Sequence, residues 1–400
     1  MSLRDTRIER LAALTDRLRE SDGCDALLIT NPVDIRYLTG FVGDDACLLV
    51  PVAGSKKSGR AAKPTLLSDG RFTEQIEREL NGRGGIGGDA VDVHIRGDVT
   101  MAAAVARRLA KQVKASGGKR RLGLQAGYAT LGLRDRLREA LKKEAGKKQK
   151  VAVVGVEDRL FDQRMIKSAD EVRLIRKAGA IQQAAFEEMR EWLEPGVSEV
   201  QVAGFLEYCM RWRGADGPSF NTIVAAGANA ALPHAVPGSK KLTASSLVLV
   251  DWGAKYDGYC SDMTRVFAMD PDAFGRARGK AAEMRDVCGI VLEAQQAGID
   301  ACVAGASLRA VDEAARNVIR TAGYGKRFSH GLGHGLGLDI HEGPRLSKMA
   351  PEDGVLKPGM VVTVEPGIYL PGVGGCRIED DVHVTERGPR VLTSLERRLW

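Results

Sequence analysis

The sequence lacks the long apolar runs and the paired cysteines that mark membrane proteins and disulfide-stabilised proteins. No run approaches the roughly 18 uninterrupted apolar residues that a membrane span needs. The seven cysteines are odd in number and scattered, and no two form a Cys-x-x-Cys pair: Cys24, Cys47, Cys209, Cys260, Cys288, Cys302 and Cys376. This usage argues against a disulfide framework and a zinc ribbon, and it suits reduced thiols in the cytoplasm.

We also expect no secretory leader. Residues 1–21 place apolar side chains at helical spacing among charges, at Ile8, Leu11, Leu14 and Leu18. That spacing predicts an amphipathic helix, so we expect a cytoplasmic protein with no membrane partner. The 400 residues are 44% hydrophobic and 28% charged, which is typical of a globular chain with two domains.

Positive charge is concentrated in residues 1–150, which carry 29 Lys and Arg against 19 Asp and Glu. The rest of the chain carries 30 Lys and Arg against 33 Asp and Glu, so the net charge of +7 originates in residues 1–150. A basic half can bind nucleic acid. However, its basic residues form loop-like clusters with almost no aromatic residues between them, at Lys56-Lys57, Lys119–Arg121, Lys142-Lys143 and Lys147-Lys148. We therefore expect a solvated basic surface and no nucleic-acid partner.

Residues 1–156 are expected to form an α/β domain. Apolar runs bounded by turn residues predict strands at Ala26–Thr30, Cys47–Val52 and Pro64–Ser68, and a helical pattern covers Thr100–Lys114. The polar, lysine-rich stretch Lys142–Lys150 precedes the short apolar run Val151–Val156. We therefore place the domain boundary after Val156.

Residues 157–400 are expected to form an α+β domain. Two capping boxes predict the starts of two helices, at Ser168–Glu171 and Ser198–Gln201. Two further helices fit Ala277–Ala297 and Leu308–Ala322. Two predicted hairpins, Leu247–Phe267 and Met360–Val384, each carry two acids on their strands. The weak similarity of the two hairpins suggests that the second domain has two related halves. Helices mixed with antiparallel hairpins are typical of α+β domains.

The first hairpin brings two carboxylates together. Asp251 and Asp262 follow apolar strand residues, where an acid is out of place. If Tyr256 and Asp257 are the central turn residues, the acids lie directly opposite, and if Asp257-Gly258 form the turn, they lie diagonally. Both registers put the carboxylates on one face, roughly 5 to 8 Å apart. Such a pair repels unless a proton or cation lies between, and the alternative is two solvent-facing acids on an edge strand.

The second hairpin carries two more acids. Glu365 ends the apolar strand Val361–Val364, and Glu379 lies on what reads as a paired strand. A buried Glu is rare without a partner. Asp380 and Asp381 follow at once, so a solvated acidic run is the competing interpretation.

A glycine-rich segment holds three of the six histidines within twelve residues: His330, His334 and His341. The glycines allow close backbone approach to a ligand. Four acids and one histidine form an oxygen-rich set, which favours two divalent ions such as manganese, cobalt or zinc over a structural zinc. Two such ions promote amide or ester hydrolysis. The sequence contains no Gly-x-Ser-x-Gly, P-loop or dinucleotide-binding pattern that offers a rival centre.

These residues resemble the pita-bread metallopeptidases, specifically the Xaa-Pro aminopeptidase and Xaa-Pro dipeptidase (prolidase) branch. Asn31–Phe41 and Asp69–Phe72 are similar to that branch's creatinase-type N-terminal domain, and Met165–Glu171 to its inter-domain entry. The resemblance implies a creatinase-type α/β domain over 1–156 and a pita-bread catalytic domain over 157–400. It also implies a metallo-exopeptidase that hydrolyses the Xaa-Pro bond of short peptides with proline at position 2.

The resemblance assigns metal-binding roles to five residues. Asp251 would bind one ion through both oxygens, and Asp262 and Glu379 would bridge the two ions. His334 and Glu365 would complete the second ion. Glu365 would also handle the proton of the nucleophilic water.

Further roles around the metals follow from the same resemblance. His234 would contact the substrate near the scissile bond, and His341 would steady the carbonyl oxygen or the tetrahedral intermediate. His330 and Arg377 would orient the ligands, and Arg377 also borders the substrate site. Arg345 resembles an arginine that pairs with the free carboxylate of a dipeptide, the alternative being a surface arginine.

The resemblance further implies a homodimer, because the N-terminal domain supports dimerisation in relatives. It leaves aminopeptidase and dipeptidase specificity open. A methionine-aminopeptidase-like enzyme shares the metal set but usually lacks such an N-terminal domain. A creatinase lacks the metal ligands, and a catalytically silent pita-bread binding protein typically loses some of them.

Overall fold

The computed structural model describes residues 3–21, 23–52, 63–82, 84–116, 120–145, 151–157 and 159–398. Of the predicted basic clusters, Lys56-Lys57, Lys119 and Lys147-Lys148 lie outside the described residues. Among the described residues, no helix is both long enough and apolar enough to span a membrane.

The chain divides into two compact units, Met1–Gln163 and Arg164–Trp400. The sequence put the boundary after Val156, and that boundary stays a prediction. The division between the two units falls a few residues after Val156, because the start of the next helix is in contact with the first unit. There, Arg17 donates to the carbonyl of Arg159, and Gln163 donates to the carbonyl of Arg10 at 3.2 Å.

The described residues of the first unit form a six-stranded mixed sheet with helices. Its strands are β1 Ala26–Ile29, β2 Ala46–Pro51, β3 Thr65–Ser68, β4 Asp92–Ile95, β5 Arg120–Gln125 and β6 Val151–Val156. Its helices are α1 Leu3–Ser21, α2 Pro32–Thr39, α3 Thr73–Asn81, α4 Met101–Ser116 and α5 Leu131–Ala145, and α6 Arg159–Met165 crosses the division between the units. The strand order is β4-β3-β2-β1-β5-β6. The three predicted strands and the predicted helix are confirmed to within about two residues at each end, the usual accuracy of such boundaries.

The described residues of the second unit form five α-helices and several small antiparallel sheets. Its helices are α7 Ala169–Trp192, α8 Glu199–Trp212, α9 Pro271–Gly275, α10 Lys280–Asp300 and α11 Leu308–Thr321. Its strands are β7 Gly217–Pro218, β8 Ile223–Ala226, β9 Leu247–Trp252, β10 Ala254–Tyr256, β11 Tyr259–Cys260, β12 Met263–Ala268, β13 Gly333–Gly335, β14 Glu342–Leu346, β15 Val361–Val364, β16 Gly367–Leu370, β17 Gly374–Arg377, β18 Asp380–Thr385 and β19 Gly388–Val391. The larger sheets have the orders β12-β9-β8 and β14-β13-β15-β18-β19.

Local sequence signals set the starts of the long helices. Both predicted capping boxes are present, one at the start of α7 and one at the start of α8. Helix α11 begins at the predicted residue and buries Leu308, Val311, Ala315 and Ile319 along one face. Helix α10 begins three residues after the predicted start because Gly279 precedes it with φ 64°, outside helical geometry.

The two predicted hairpins share one layout. In the first, β9 pairs with β12 and its continuation β10 pairs with β11. In the second, β15 pairs with β18 and its continuation β16 pairs with β17. Each hairpin is interrupted between its two ladders, and the predicted acids lie at or beside that interruption. A Cβ on Gly253, at the first interruption, would lie 2.1 Å from the carbonyl oxygen of Ser261, so this close approach requires glycine.

A buried aromatic contact anchors the strand end that carries Asp251. Trp252 stacks on Phe186 of α7 with ring centroids 4.4 Å apart, and its indole N–H donates to the carbonyl of Gln182 at 3.0 Å. We expect Trp252→Ala to lower the free energy of unfolding of this unit by about 3–5 kcal/mol, because the cavity cannot refill. Urea unfolding followed by far-UV circular dichroism measures this value.

Trp212 provides the matched control, since its side chain is 75% exposed. We expect Trp212→Ala to change the free energy of unfolding by about 0.5 kcal/mol or less. Equal losses in the two variants would contradict an anchoring role for Trp252.

Candidate metal centre

One cleft in the second unit, with a volume of about 670 Å³, collects the predicted functional side chains. It is lined by all five predicted metal ligands and by the other five predicted site residues: Asp251, Asp262, His334, Glu365, Glu379, His234, His330, His341, Arg345 and Arg377. Apolar side chains including Phe220, Ile223 and Ile340 form part of the wall. The lining residues come from distant segments, so tertiary folding brings them together.

The first hairpin adopts the second of the two predicted registers. Asp257 (φ 46°) and Gly258 (φ 74°) are the central turn residues, and both have the positive φ that a tight hairpin turn favours. The ladder register then puts Asp262 diagonally across from Asp251. Both acids are buried, so the alternative of solvent-facing acids is wrong.

The acidic run of the second hairpin is also internal. Glu379 is 2% exposed, and Asp380 and Asp381 are fully buried, which excludes a solvated acidic run. Asp380 accepts from Arg265 at 2.7 Å. Asp381 accepts the backbone N–H of Asp262 at 3.1 Å, which ties the two hairpins together beside the acids.

Close backbone packing explains the glycines around His334. A Cβ on Gly333 would lie 2.0 Å from the carbonyl oxygen of Thr363. A Cβ on Gly335 would lie 1.8 Å from the carbonyl oxygen of Gly343. Only glycine fits at either position, and His334 is thereby held in the middle of the sheet beside the acids.

The His334 ring points its Nε2 atom at carboxylates. Nε2 lies 3.4 Å from Glu365 Oε1 and 3.8 Å from Asp262 Oδ2. Nδ1 lies 3.1 Å from the carbonyl oxygen of Gly335, an arrangement that leaves Nε2 available as a metal ligand. Ligand atoms of Asp262, His334 and Glu379 all lie within 4.8 Å of one another.

Burial and mutual repulsion shift the pKa values of this cluster. Burial raises the pKa of Asp262 and of Glu379 well above the ordinary range, and neighbouring acids raise both further. Burial also raises the pKa of Glu365 to about 7. The pKa of His334 falls to about 3 because its ring is buried, so the imidazole is neutral. The cluster therefore needs protons or cations to offset its negative charge.

Two carboxylate oxygens fit a bound cation. Within the described parts of the chain, Asp251 Oδ1 and Asp262 Oδ1 are buried and have no hydrogen-bond partner. An unpartnered buried oxygen is unfavourable, and a divalent ion satisfies it. Four carboxylates and one neutral imidazole form a donor set that manganese, cobalt and zinc accept. The residues of the centre therefore fit divalent metal binding.

Arg377 organises one side of the centre. Its Nη2 lies 2.5 Å from Asp251 Oδ2, and its Nη1 lies 2.8 Å from the hydroxyl of Tyr369. Its Nε donates to Thr264 Oγ1 at 3.0 Å. The guanidinium thus fixes one oxygen of Asp251 and leaves the other oxygen facing the centre.

Two residues of this network were not predicted from the sequence. Thr264 donates to Glu379 Oε2 at 2.6 Å. Tyr369 lies 2.9 Å from His330 Nε2, and burial raises the pKa of its hydroxyl to about 12. Thr264 lies two residues after the predicted ligand Asp262, and Tyr369 lies four residues after the predicted ligand Glu365. Because alternate strand residues share a face, that spacing is the signal that could have found them.

The remaining predicted residues face the open side of the cleft. His234, His341 and Arg345 are exposed, and Arg345 pairs with His334 across the β13–β14 ladder. Partial desolvation of the His341 ring against the cleft wall lowers its pKa, and the nearby charges of Arg345 and His234 lower it further. His330 instead lies deeper, where burial lowers its pKa to about 4.

Fold and centre together define a metal-dependent hydrolase of the pita-bread type. The sequence matches the model of "Metallopeptidase family M24" over residues 173–386 and that of the "Creatinase/Prolidase N-terminal domain" over residues 10–166. The chain belongs to metallopeptidase family M24, with a creatinase-type domain before the catalytic domain. The resemblance noted from the sequence is confirmed.

Individual relatives cover almost the full length of the chain. The chain is similar to an uncharacterized peptidase, YqhT, of Bacillus subtilis, at 34% identity over 98% of this chain and 99% of the relative. Among solved structures it is similar to an Xaa-Pro dipeptidase from Bacillus anthracis, with a TM-score of 0.81, 34% identity and 99% of both chains covered. It is also similar to an X-Pro aminopeptidase from Thermotoga maritima, with a TM-score of 0.78, 33% identity, and 96% and 99% covered.

In protein stripped of divalent ions, we expect the free energy of unfolding to fall as the pH rises from about 6.5 to about 8. The acids of the unfolded chain titrate well below this range. The folded chain then holds protons on Asp262, Glu379 and Glu365, whose pKa values are raised, while the unfolded chain holds none there. Histidines with lowered pKa values oppose this fall mainly below about pH 6.5, where the unfolded side chains gain protons, and they weaken it at the lower end of the window. Melting temperatures of chelator-treated protein measure the effect.

Two comparisons check that the titration of these acids causes the fall in stability. Glu365→Gln, which lacks one titrating group, should show a shallower fall, and added manganese should reduce the fall by replacing the protons. A metal-free protein whose melting temperature is flat or rises across this window would contradict the electrostatic account.

Proposed function

We propose that this chain is an Xaa-Pro dipeptidase that uses two divalent metal ions to hydrolyse the bond before a C-terminal proline. The ions would be held by Asp251, Asp262, His334, Glu365 and Glu379. The observation that carries the proposal is the convergence of these five side chains in one cleft, with two buried carboxylate oxygens that lack partners among the described residues. Membership of metallopeptidase family M24 supports the reaction class.

The chemistry divides between the metals and the chain. When bound, two divalent ions supply a hydroxide nucleophile at neutral pH and polarise the scissile carbonyl. Glu365 is suited to take the proton of the attacking water and return it, because its carboxylate lines the cleft and lies 3.4 Å from His334 Nε2. His341 and His234 face the cleft from the open side, where a ring N–H can donate to the carbonyl oxygen as charge develops on it.

Proline gives a physical reason for a dedicated site. An Xaa-Pro bond has no amide hydrogen and the proline φ is fixed. Such a segment cannot bind as an ordinary strand along a sheet edge, so its recognition depends on the shape of the cleft. The names of the similar solved structures, an Xaa-Pro dipeptidase and an X-Pro aminopeptidase, support this substrate class.

Arg345 favours a dipeptide over a longer peptide. Its guanidinium is exposed in the cleft, opposite His334 across the ladder. No described carboxylate forms a salt bridge with it, in contrast to Arg377. A dipeptide places a free carboxylate next to the scissile bond, and an arginine fork binds such a group strongly.

Three finer features belong to the same proposal. Manganese is the proposed metal, because oxygen donors dominate the site. A cytoplasmic location is supported by the seven cysteines, all of which are buried and none of which is in a disulfide. A homodimer is proposed from the resemblance of the first domain alone.

A hydrolysis panel with added manganese, cobalt or zinc tests the proposal. The substrates are an Xaa-Pro dipeptide, an Xaa-Pro-Yaa tripeptide and a Met-Ala-Yaa tripeptide. We expect cleavage of the dipeptide. Cleavage of the Xaa-Pro-Yaa tripeptide alone would identify an aminopeptidase, and cleavage of the methionyl peptide alone would overturn the proline assignment. A folded protein that cleaves none of them with any metal would instead be a binding protein.

Asp262→Ala should abolish metal-dependent turnover of the dipeptide, because it removes a carboxylate that would hold the ions. The matched control is Asp353→Ala, which removes an exposed carboxylate distant in sequence. Steady-state kinetics with saturating manganese compare the two variants. Undiminished turnover in Asp262→Ala contradicts the proposed centre.

Arg345→Met should lower kcat/KM for an Xaa-Pro dipeptide about 10- to 100-fold, the loss expected for one charged hydrogen bond. The same variant should leave hydrolysis of the dipeptide amide unchanged, because the amide has no carboxylate to pair. Lys348→Met removes an exposed cation three residues away and should affect neither substrate. Equal losses of kcat/KM for the free dipeptide and for the dipeptide amide would show that Arg345 does not recognise the substrate carboxylate.

A further inference from the structure

A buried ion cluster lies beside the cleft and includes none of the proposed metal ligands. The carboxylate of Glu342 accepts from Arg164 Nη2 at 2.5 Å and from Lys167 Nζ at 2.8 Å. The three side chains are 5%, 8% and 1% exposed, respectively. Arg164 also reaches Asp339 Oδ2 at 2.7 Å. Two cations thus enclose one carboxylate in the protein interior, an arrangement that needs this geometry to be stable.

Glu342 stays ionised in this cluster. Burial by itself would raise its pKa, but the charges of Lys167 and Arg164 outweigh burial and lower the pKa. Lys167 is in turn fixed by its backbone, whose N–H donates to the carbonyl of Gly359 at 2.8 Å. The main chain of Lys167 is thereby tied to the segment before β15, and its ammonium pairs with Glu342.

The Glu342 carboxylate holds the loop that precedes it. Its Oε1 accepts the backbone N–H of Asp339 at 3.1 Å. The N–H of Gly337 donates to the carbonyl of Asp339 at 3.0 Å, and the carbonyl of Gly337 accepts from Cys260 at 2.7 Å. A Cβ on Gly337 would lie 2.7 Å from Glu342 Oε2. The carboxylate therefore packs against Gly337 and Asp339 of the loop that leads to His341.

His341 ends this loop and has few other restraints. Among the described residues, its ring forms no hydrogen bond, although the ring lines the cleft. Its ring centroid lies 4.4 Å from that of His334, with the planes at 76°. The direction of the His341 ring therefore depends on its backbone, which lies between Asp339, whose N–H the Glu342 carboxylate accepts, and Glu342 itself.

We infer that Glu342, held by Arg164 and Lys167, is a positioning residue that orients the His341 ring over the cleft. The inference rests on the proposed function, in which His341 meets the carbonyl oxygen of the substrate. Misplacement of such a group by about 1 Å is enough to slow a reaction by about 100-fold.

Glu342→Gln tests the inference in the holoenzyme, because it removes the charge and keeps the size. We expect kcat to fall about 10- to 100-fold, with KM and bound metal unchanged. In a His341→Ala background, Glu342→Gln should cause no further loss, since the two changes act through one ring. Gly337→Ala, which leaves all charges in place and pushes on the carboxylate, should reproduce the loss if Glu342→Gln folds poorly.

The matched control is Glu352→Gln. Glu352 forms an exposed ion pair with Arg309 at 3.2 Å, and its side chain is 87% exposed. Removing this carboxylate should change neither kcat nor metal content. A similar loss in both glutamine variants would overturn the inference.

A spectroscopic readout separates this inference from the proposed function. In zinc-loaded protein labelled with carbon-13 at histidine Cε1, where no paramagnetic ion broadens the spectrum, the six histidines give six signals, and His341→Ala assigns one of them. Glu342→Gln should shift or broaden the His341 signal and leave those of His94 and His383 unchanged. An unmoved His341 signal in Glu342→Gln would overturn the inference. So would a further loss of kcat when Glu342→Gln is added to His341→Ala, or a loss of bound metal in Glu342→Gln. If the wild-type protein cleaves no Xaa-Pro peptide, the proposed function fails, while the signal still decides the positioning role.

Discussion

Repulsion among buried carboxylates is the constraint on which the rest of this structure depends. Asp251, Asp262, Glu365 and Glu379 share one cleft with a neutral imidazole, and burial together with their mutual charge raises the pKa values of three of them. Isolated charges are very costly to bury, and a removed counter-charge is not replaced by water in such a site. Cation binding and the stability of the fold are therefore coupled, because only the folded chain gathers these ligands.

The scaffold resists this repulsion by pairing buried guanidinium groups with acids in and beside the centre. Arg377 pairs with one oxygen of Asp251 and leaves the other without a partner among the described residues. Arg265 is fully buried, pairs with Asp380 and donates to the carbonyl of Glu379 at 2.6 Å. Planar guanidinium groups suit this task because they are always charged and their donors are fixed in direction. The interruption in each hairpin then turns the acids toward the centre and away from the ladder.

Much of the centre could be predicted from the sequence because its signals are local. An acid directly after an apolar strand identified Asp251 and Glu365, and the capping boxes located two helices. The hairpin register could not be predicted, since it depends on Asp257 accepting a positive φ. Nor could the burial of Asp380, whose partner Arg265 lies more than a hundred residues away. Glu342 was missed for the same reason, because its cations come from a distant helix end.

Metal stoichiometry tests the central claim most directly. The measurement is the number of divalent ions bound per folded chain, from equilibrium dialysis against manganese followed by elemental analysis, with folding checked by circular dichroism. The account predicts two bound ions per chain. A folded protein that takes up none would contradict it, because the clustered carboxylates would then be neutralised in some other way.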